Sequence, residues 1–115
     1  MMLENLFKKN LVKDQSFVIA EIGHNHKGSV EIAKQLFLSA KKCGASAVKL
    51  QKRSNKNLFT ESFFNQPYDH KNSYGATYGE HREFLEFSEE QYKELILYAK
   101  EEARSFPFLY LLSNY

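Results

Sequence analysis

A chain of 115 residues suffices for one compact domain and falls short of most multi-part enzymes. Its composition, 43% hydrophobic, 15% aromatic and 26% charged, is that of a folded globular protein and excludes a disordered chain. Sixteen Lys and Arg against fourteen Asp and Glu leave a net charge of +2, too small and too evenly spread to imply a nucleic-acid or membrane partner.

The lone Cys43 excludes an internal disulfide and a Cys-rich zinc site, so the expected location is a reducing compartment, the cytoplasm. No stretch approaches the ~18 consecutive apolar residues of a membrane span. The start, MMLENLFKKNLVKDQS, lacks the apolar core of a signal peptide, and residues 1–16 are read as an N-terminal extension.

FVIAEI, Phe17 to Ile22, is short, apolar and partly β-branched and ends at Gly23, which predicts a buried strand. After the loop GHNHKG, Ser29 serves as a helix N-cap, and Val30, Ala33, Leu36, Phe37 and Ala40 form one apolar stripe. Gly44 closes that helix, as a residue free to take positive φ. ASAVKLQ then predicts a second buried strand, interrupted by Lys49. Strand, helix and strand joined this tightly make a βαβ unit, whose strands are parallel and whose crossover is right-handed.

From Lys52 to Phe87 no period is sustained, and the stretch reads as a long loop, too aromatic to be disordered. A second helix start is clear: Ser88 with Gln91 forms a capping box, and Phe87 with Tyr92 a hydrophobic staple. Tyr92, Leu95, Ile96 and Ala99 supply its buried face. SFPFLYLLSNY predicts a third strand, with Pro107 near its beginning. The order βαβ, loop, α, β is that of an α/β barrel or a doubly wound sheet. A complete eightfold barrel takes ~250 residues, so only part of one fits here, and each outer strand keeps an unpaired edge.

Side chains alternate along a strand, so Phe17, Ile19 and Glu21 share one face, as do Ala47, Lys49 and Gln51. Glu21, Lys49 and Gln51 lie toward the C-terminal ends of their strands, where parallel α/β architectures build active sites. A lysine inside an apolar strand is costly to bury without a partner, which makes Lys49 the most informative residue. It reads equally as a site cation and as a structural partner of Glu21. By itself Glu21 reads more readily as a solvated carboxylate, and Gln51 carries no separate signal.

His24 and His26 could both reach a metal only with further ligands that the neighbouring sequence does not offer, so solvated or loop-bracing roles are expected, as for His81. Asn25 suits an Asx-type brace, and Gly28 a tight turn into the helix rather than a phosphate contact. GHNHKG has too few glycines to cradle a phosphate. Tyr68, Tyr74 and Tyr78 read as packing residues.

AEIGHNHKG, a helix, GASAVKLQ, LFTESFF, NSYGATYGEHREFLEFS and a capped helix together resemble the N-terminal part of the N-acetylneuraminate (sialic acid) synthase family, from about Phe17 to about Ala103. The resemblance implies a partial (β/α)8 TIM barrel, an α/β fold, with residues 17–115 holding the first two βα units plus a third strand. In the family a small antifreeze-like domain usually follows the barrel. The implied activity is condensation of phosphoenolpyruvate with an N-acetylated mannose-type sugar such as N-acetylmannosamine, giving a nine-carbon acidic sugar and phosphate.

Carried over by position, Glu21 contacts the open-chain sugar near its aldehyde, Lys49 holds phosphoenolpyruvate, Gln51 lies on the sugar side, and Asn72 in NSYG matches a sugar-binding asparagine. C3 of phosphoenolpyruvate attacks the aldehyde, water adds at C2, and phosphate departs. A divalent metal, Mn2+ or Mg2+, acts as Lewis acid in the family, and its ligands come from later strands not in this chain. The full-length family implies a homodimer. Legionaminic or pseudaminic acid synthesis is the alternative within the enzyme class, and a non-catalytic binding module the alternative outside it. Because the chain stops after the third strand and FPFLYLLSNY lacks the Thr-Pro pattern expected there, a truncated gene or an out-of-frame tail is expected, inactive unless complemented.

Overall fold

The computed structural model describes residues 16–102 and the strand Leu109–Asn114; residues 1–15 and Pro107 lie outside the described residues. Strand β1 runs over Ile19–Gly23, two residues later than the apolar run suggests. Helix α1, Val30–Lys42, starts where Ser29 Oγ accepts the Ile32 N–H at 3.2 Å. Ala33 and Phe37 are buried along its inner stripe, with Val30, Leu36 and Ala40 partly buried beside them. The helix ends at Cys43, and Gly44 takes φ +88°, a conformation that a Cβ would disfavour. Strand β2 follows at Ala47–Lys52.

The segment between Lys52 and Phe87, expected to be loop, contains three short helices: α2 (Asn55–Leu58), α3 (Glu61–Phe64) and α4 (Tyr78–Leu85). Four-residue helices are too short to display a period, and caps and aromatic contacts define them instead. Thr60 Oγ1 accepts the Phe63 N–H at 3.2 Å, and Thr77 with Glu80 forms a full capping box at the start of α4. Pro67 bridges antiparallel to Thr77, closing the intervening loop. Phe59, Phe63, Tyr68 and Tyr78 stack edgewise or tilted, with ring centroids 4.8–5.4 Å apart. The three tyrosines are indeed packing residues, Tyr74 lying flat on Phe84 at 4.5 Å.

Helix α5, Glu89–Glu102, begins with the capping box anticipated from Ser88 and Gln91, whose reciprocal bonds measure 3.2 and 2.8 Å. The Phe87 and Tyr92 rings meet at 5.7 Å as the staple. Strand β3, Leu109–Asn114, completes a sheet of order β1-β2-β3 in which both pairings are parallel. This is a mixed α/β architecture compatible with part of a barrel.

Alternation divides the β1–β2 sheet into two unlike faces. Ile22, Val48 and Leu50 are buried, with Ala20 partly so, against Ala33 and Phe37 of α1 and Leu95 and Ala99 of α5. Fully burying a side chain of the size of Phe37 or Leu95 contributes about 1.5–3 kcal/mol. The opposite face carries Ile19, Glu21, Ala47, Lys49 and Gln51: Ile19 and Glu21 are exposed, Lys49 and Gln51 partly so, and Ala47 is buried. A register shift between Glu21 and Gly23 leaves Ile22 as the extra residue, so β1 bulges immediately after Glu21. None of the described helices is long and apolar enough to cross a membrane.

Candidate functional site

Glu21 and Lys49 are register partners on neighbouring parallel strands, which puts both side chains on the open face. Lys49 Nζ lies 3.1 Å from Glu21 Oε2, with the side chains 32% and 46% exposed, respectively. The other carboxylate oxygen, Oε1, accepts the Gly23 N–H at 3.1 Å, so the bulge that ends β1 also orients the carboxylate. A Cβ placed on Gly23 would lie 3.8 Å from both the Gln51 side chain and Glu21 Oε1, which shows how closely these groups gather. Gln51 Oε1 accepts from Arg53 Nη2 at 3.1 Å, and its carbonyl accepts the Tyr92 hydroxyl at 3.3 Å. Burial pushes the Tyr92 phenol well above its ordinary range, so it stays a neutral donor.

Three of the four residues singled out from sequence therefore meet: Glu21, Lys49 and Gln51. Asn72 does not join them by any hydrogen bond among the described residues. It is exposed on a turn, where its N–H donates to His70 Nδ1 at 3.3 Å.

A second polar centre, which no sequence pattern announced, surrounds Glu86. Its carboxylate is only 8% exposed. Oε1 bonds His24 Nε2 at 3.0 Å and accepts the Arg53 N–H at 3.2 Å, while Oε2 lies 3.2 Å from Lys52 Nζ. Burial alone would raise the Glu86 pKa, but His24, the Arg53 N–H and Lys52 outweigh it and hold the carboxyl below its usual range. His24 and Glu86 stand 62 positions apart in sequence, and only the fold joins them.

His26 braces the same loop. It is 1% exposed, its ring stacks on Phe87 with centroids 4.0 Å apart, and its Nδ1 accepts the Gly28 N–H at 3.0 Å. Burial, reinforced by His24 and opposed by Glu86, lowers its pKa to about 4, so the ring is neutral near pH 7 with the proton on Nε2. Asn25 Nδ2 donates to the Ile22 carbonyl at 2.8 Å, and Gly28 takes φ +75° where a Cβ would come 2.6 Å from the Phe84 carbonyl oxygen. His81 Nδ1 likewise accepts the Tyr74 N–H at 3.1 Å. All three histidines brace loops, as expected. Among the described residues no three His, Cys, Asp or Glu converge as metal ligands. The described residues do not fit the divalent metal that the resemblance implies.

Beside Glu86, Arg53, Asn55, Lys56 and Glu83 line an open cleft of about 600 Å³. Asn55 is 1% exposed; its Nδ2 donates to Glu83 Oε1 at 3.3 Å, and its Oδ1 has no partner.

Residues 36–107 match the NeuB family. The N-acetylneuraminate-9-phosphate synthase of Mus musculus is 48% identical over 89 residues, 77% of this chain and 25% of that protein. The protein of the same name from Drosophila melanogaster is 45% identical over 101 residues, 88% and 27% of the two chains. The N,N'-diacetyllegionaminic acid synthase of Legionella pneumophila is 38% identical over 77 residues, 66% and 22%. The chain thus spans about a quarter of the length of the curated relatives it matches.

Proposed function

Because the chain belongs to the NeuB family, we propose that its parallel strands open a sialic-acid-synthase-type barrel and that Glu21, Lys49 and Gln51 form part of its substrate site. The reaction is condensation of phosphoenolpyruvate with an N-acetylated mannose-type sugar. One observation carries this reading: a half-exposed acid–cation pair at the C-terminal ends of adjacent parallel strands, on the face that the helices leave open. In parallel α/β folds that end is where ligands bind.

The roles follow from charge and hydrogen-bonding capacity. The Lys49 ammonium passes from Glu21 to the phosphate or carboxylate of phosphoenolpyruvate, a charge-assisted contact that suits a compact cation. Glu21, already oriented by the Gly23 N–H, accepts a hydroxyl of the open-chain sugar. Gln51, held by Arg53, adds a polar contact on the sugar side. Asn72 is assigned to the sugar side by sequence correspondence alone. C3 of phosphoenolpyruvate then bonds to the aldehyde carbon, water adds at C2, and phosphate leaves to give the keto acid.

The names of the mouse and fly relatives bear on the sugar. Adding the three carbons of phosphoenolpyruvate at C1 turns C6 of the hexosamine into C9, so a 9-phosphate product requires a sugar phosphorylated at C6. A diacetyllegionaminic-type product is the second reading, favoured by the Legionella relative.

Calorimetric titration of the chain with phosphoenolpyruvate tests the site. Binding that weakens about tenfold or more in Lys49→Met supports it, and a folded chain with no affinity for phosphoenolpyruvate contradicts it. With phosphoenolpyruvate, N-acetylmannosamine or its 6-phosphate, and manganese, the chain alone is expected to give no turnover above background. Turnover would show that these residues suffice for catalysis.

A further inference from the structure

The ladder between β1 and β2 loses its regularity where the acid and the cation stand. Its register shifts between Glu21 and Gly23 and its last pair is Gly23 with Leu50, so it includes neither His24 nor Arg53. A bulge leaves one residue unpaired and bends the strand, and the spacing of the two strand ends then depends on other contacts. Glu86 supplies one. It caps the C-terminus of α4, where its own N–H donates to the Glu83 carbonyl at 3.2 Å and the buried Leu85 and Phe87 anchor it on either side.

A single oxygen makes the connection. Glu86 Oε1 meets His24 Nε2 at 3.0 Å, from the loop after β1, and the Arg53 N–H at 3.2 Å, from the end of β2. Two lone pairs match two donors, and an ionised carboxylate only accepts, so His24 carries its proton on Nε2. His24 directly follows Gly23, whose N–H orients the Glu21 carboxylate. Arg53 follows Gln51 by two positions. Lys52 meets the other oxygen, Oε2, and itself belongs to β2, so it adds no link to β1.

We propose that Glu86 is a positioning residue: through Oε1 it ties the end of β1 to the end of β2 and so sets the spacing of Glu21 against Lys49 and Gln51. It acts through His24 and Arg53, not by contact with substrate. The inference rests on reading the Glu21–Lys49 face as the substrate site, and it adds the buried group that keeps the two halves of that face in place.

The test cuts the β1 half of the link in the full 115-residue chain and then restores it. His24→Leu removes the donor, whereas His24→Gln puts an amide N–H where Nε2 stood. His24→Asn, whose amide stops short of Glu86, makes the same cut if the leucine variant does not fold. Each variant is titrated with phosphoenolpyruvate by calorimetry. Without ligand, hydrogen exchange of the Gly23 N–H is measured against that of Val48, buried in the central strand. His24→Leu is expected to weaken phosphoenolpyruvate about fivefold or more and to speed Gly23 exchange about tenfold relative to Val48. His24→Gln is expected to stay within about twofold of wild type in both.

Val48 reports global opening, so a purely structural role would speed both amides alike. Gly23 exchange that moves only in step with Val48, or a glutamine variant as impaired as the leucine one, overturns the proposal. Phosphoenolpyruvate binding that depends on Lys49 but ignores the loss of the His24 donor removes the positioning role alone. A wild-type chain that binds no phosphoenolpyruvate but shows the expected exchange pattern removes the substrate reading and leaves Glu86 as the link between the strand ends, while the absence of both overturns both.

Discussion

Glu86 and Glu21 are both carboxylates paired with cations near the open ends of the parallel strands, yet their surroundings differ in kind. Glu86 is almost wholly buried and takes bonds from His24, Lys52 and the Arg53 N–H, which leaves little room for a ligand. Glu21 is half exposed, with one oxygen fixed by Gly23 N–H and the other facing Lys49 across open sheet. Saturation and burial mark the first as a clamp that ties the loop after β1 to the end of α4. Exposure and exchangeable partners mark the second as a place where a substrate can enter. The comparison teaches that an ion pair is informative about function through what it still offers, not through its charge.

Breaking the clamp should produce the largest loss. Glu86→Ala strips a buried carboxylate from three donors and should cost about 3–5 kcal/mol in urea denaturation, whereas Glu21→Ala should cost no more than about 1 kcal/mol. Equal losses would erase the distinction between the two centres.

Acid should act on the clamp side as well. Above pH 6.5 His26 is neutral in both folded and unfolded chains, and between 6.5 and about 4 only the unfolded chain binds the proton. Stability should therefore fall with falling pH across that window, by about 3 kcal/mol in total. The Glu86 carboxyl, depressed from 4.5, contributes stability above that value and loses it as pH falls further through its lowered pKa. Equilibrium unfolding of His26→Phe should be much flatter between pH 6.5 and 4; an unchanged slope would contradict the assignment.

Gly28→Ala sharpens the same point with a smaller effect. Positive φ and the approach of the Phe84 carbonyl oxygen both oppose a Cβ, and about 2 kcal/mol of stability should be lost, read from the denaturation midpoint. The smallest effect belongs to the open pair: Lys49→Met should change stability by no more than about 1 kcal/mol, read the same way.

Much of this architecture was legible from residue patterns. The strand at Ala47, the helices capped by Ser29 and Ser88, and the shared face of Glu21, Lys49 and Gln51 follow from periods of two and of about 3.6 and from cap chemistry. The helices between Lys52 and Phe87 were missed because two of them span only one turn each. The third, α4, did carry a signal in Thr77 and Glu80, obscured by the glycine two residues on. Gly79 is tolerated there because the Phe64 ring occupies the space a Cβ would fill. Nothing local could have revealed the meeting of His24, Arg53 and Glu86, or the buried amide of Asn55, since each depends on segments brought together only by folding.

The contrast between the two centres is tested most directly by giving their cations the same substitution and titrating each variant with phosphoenolpyruvate. Lys49→Met should weaken binding about tenfold or more, and Lys52→Met, which removes bonds to Glu86 Oε2 and to the Arg53 carbonyl, should leave it within about twofold of wild type. Equal weakening by the two substitutions, or none from Lys49→Met, would contradict the assignment of Lys49 to the substrate.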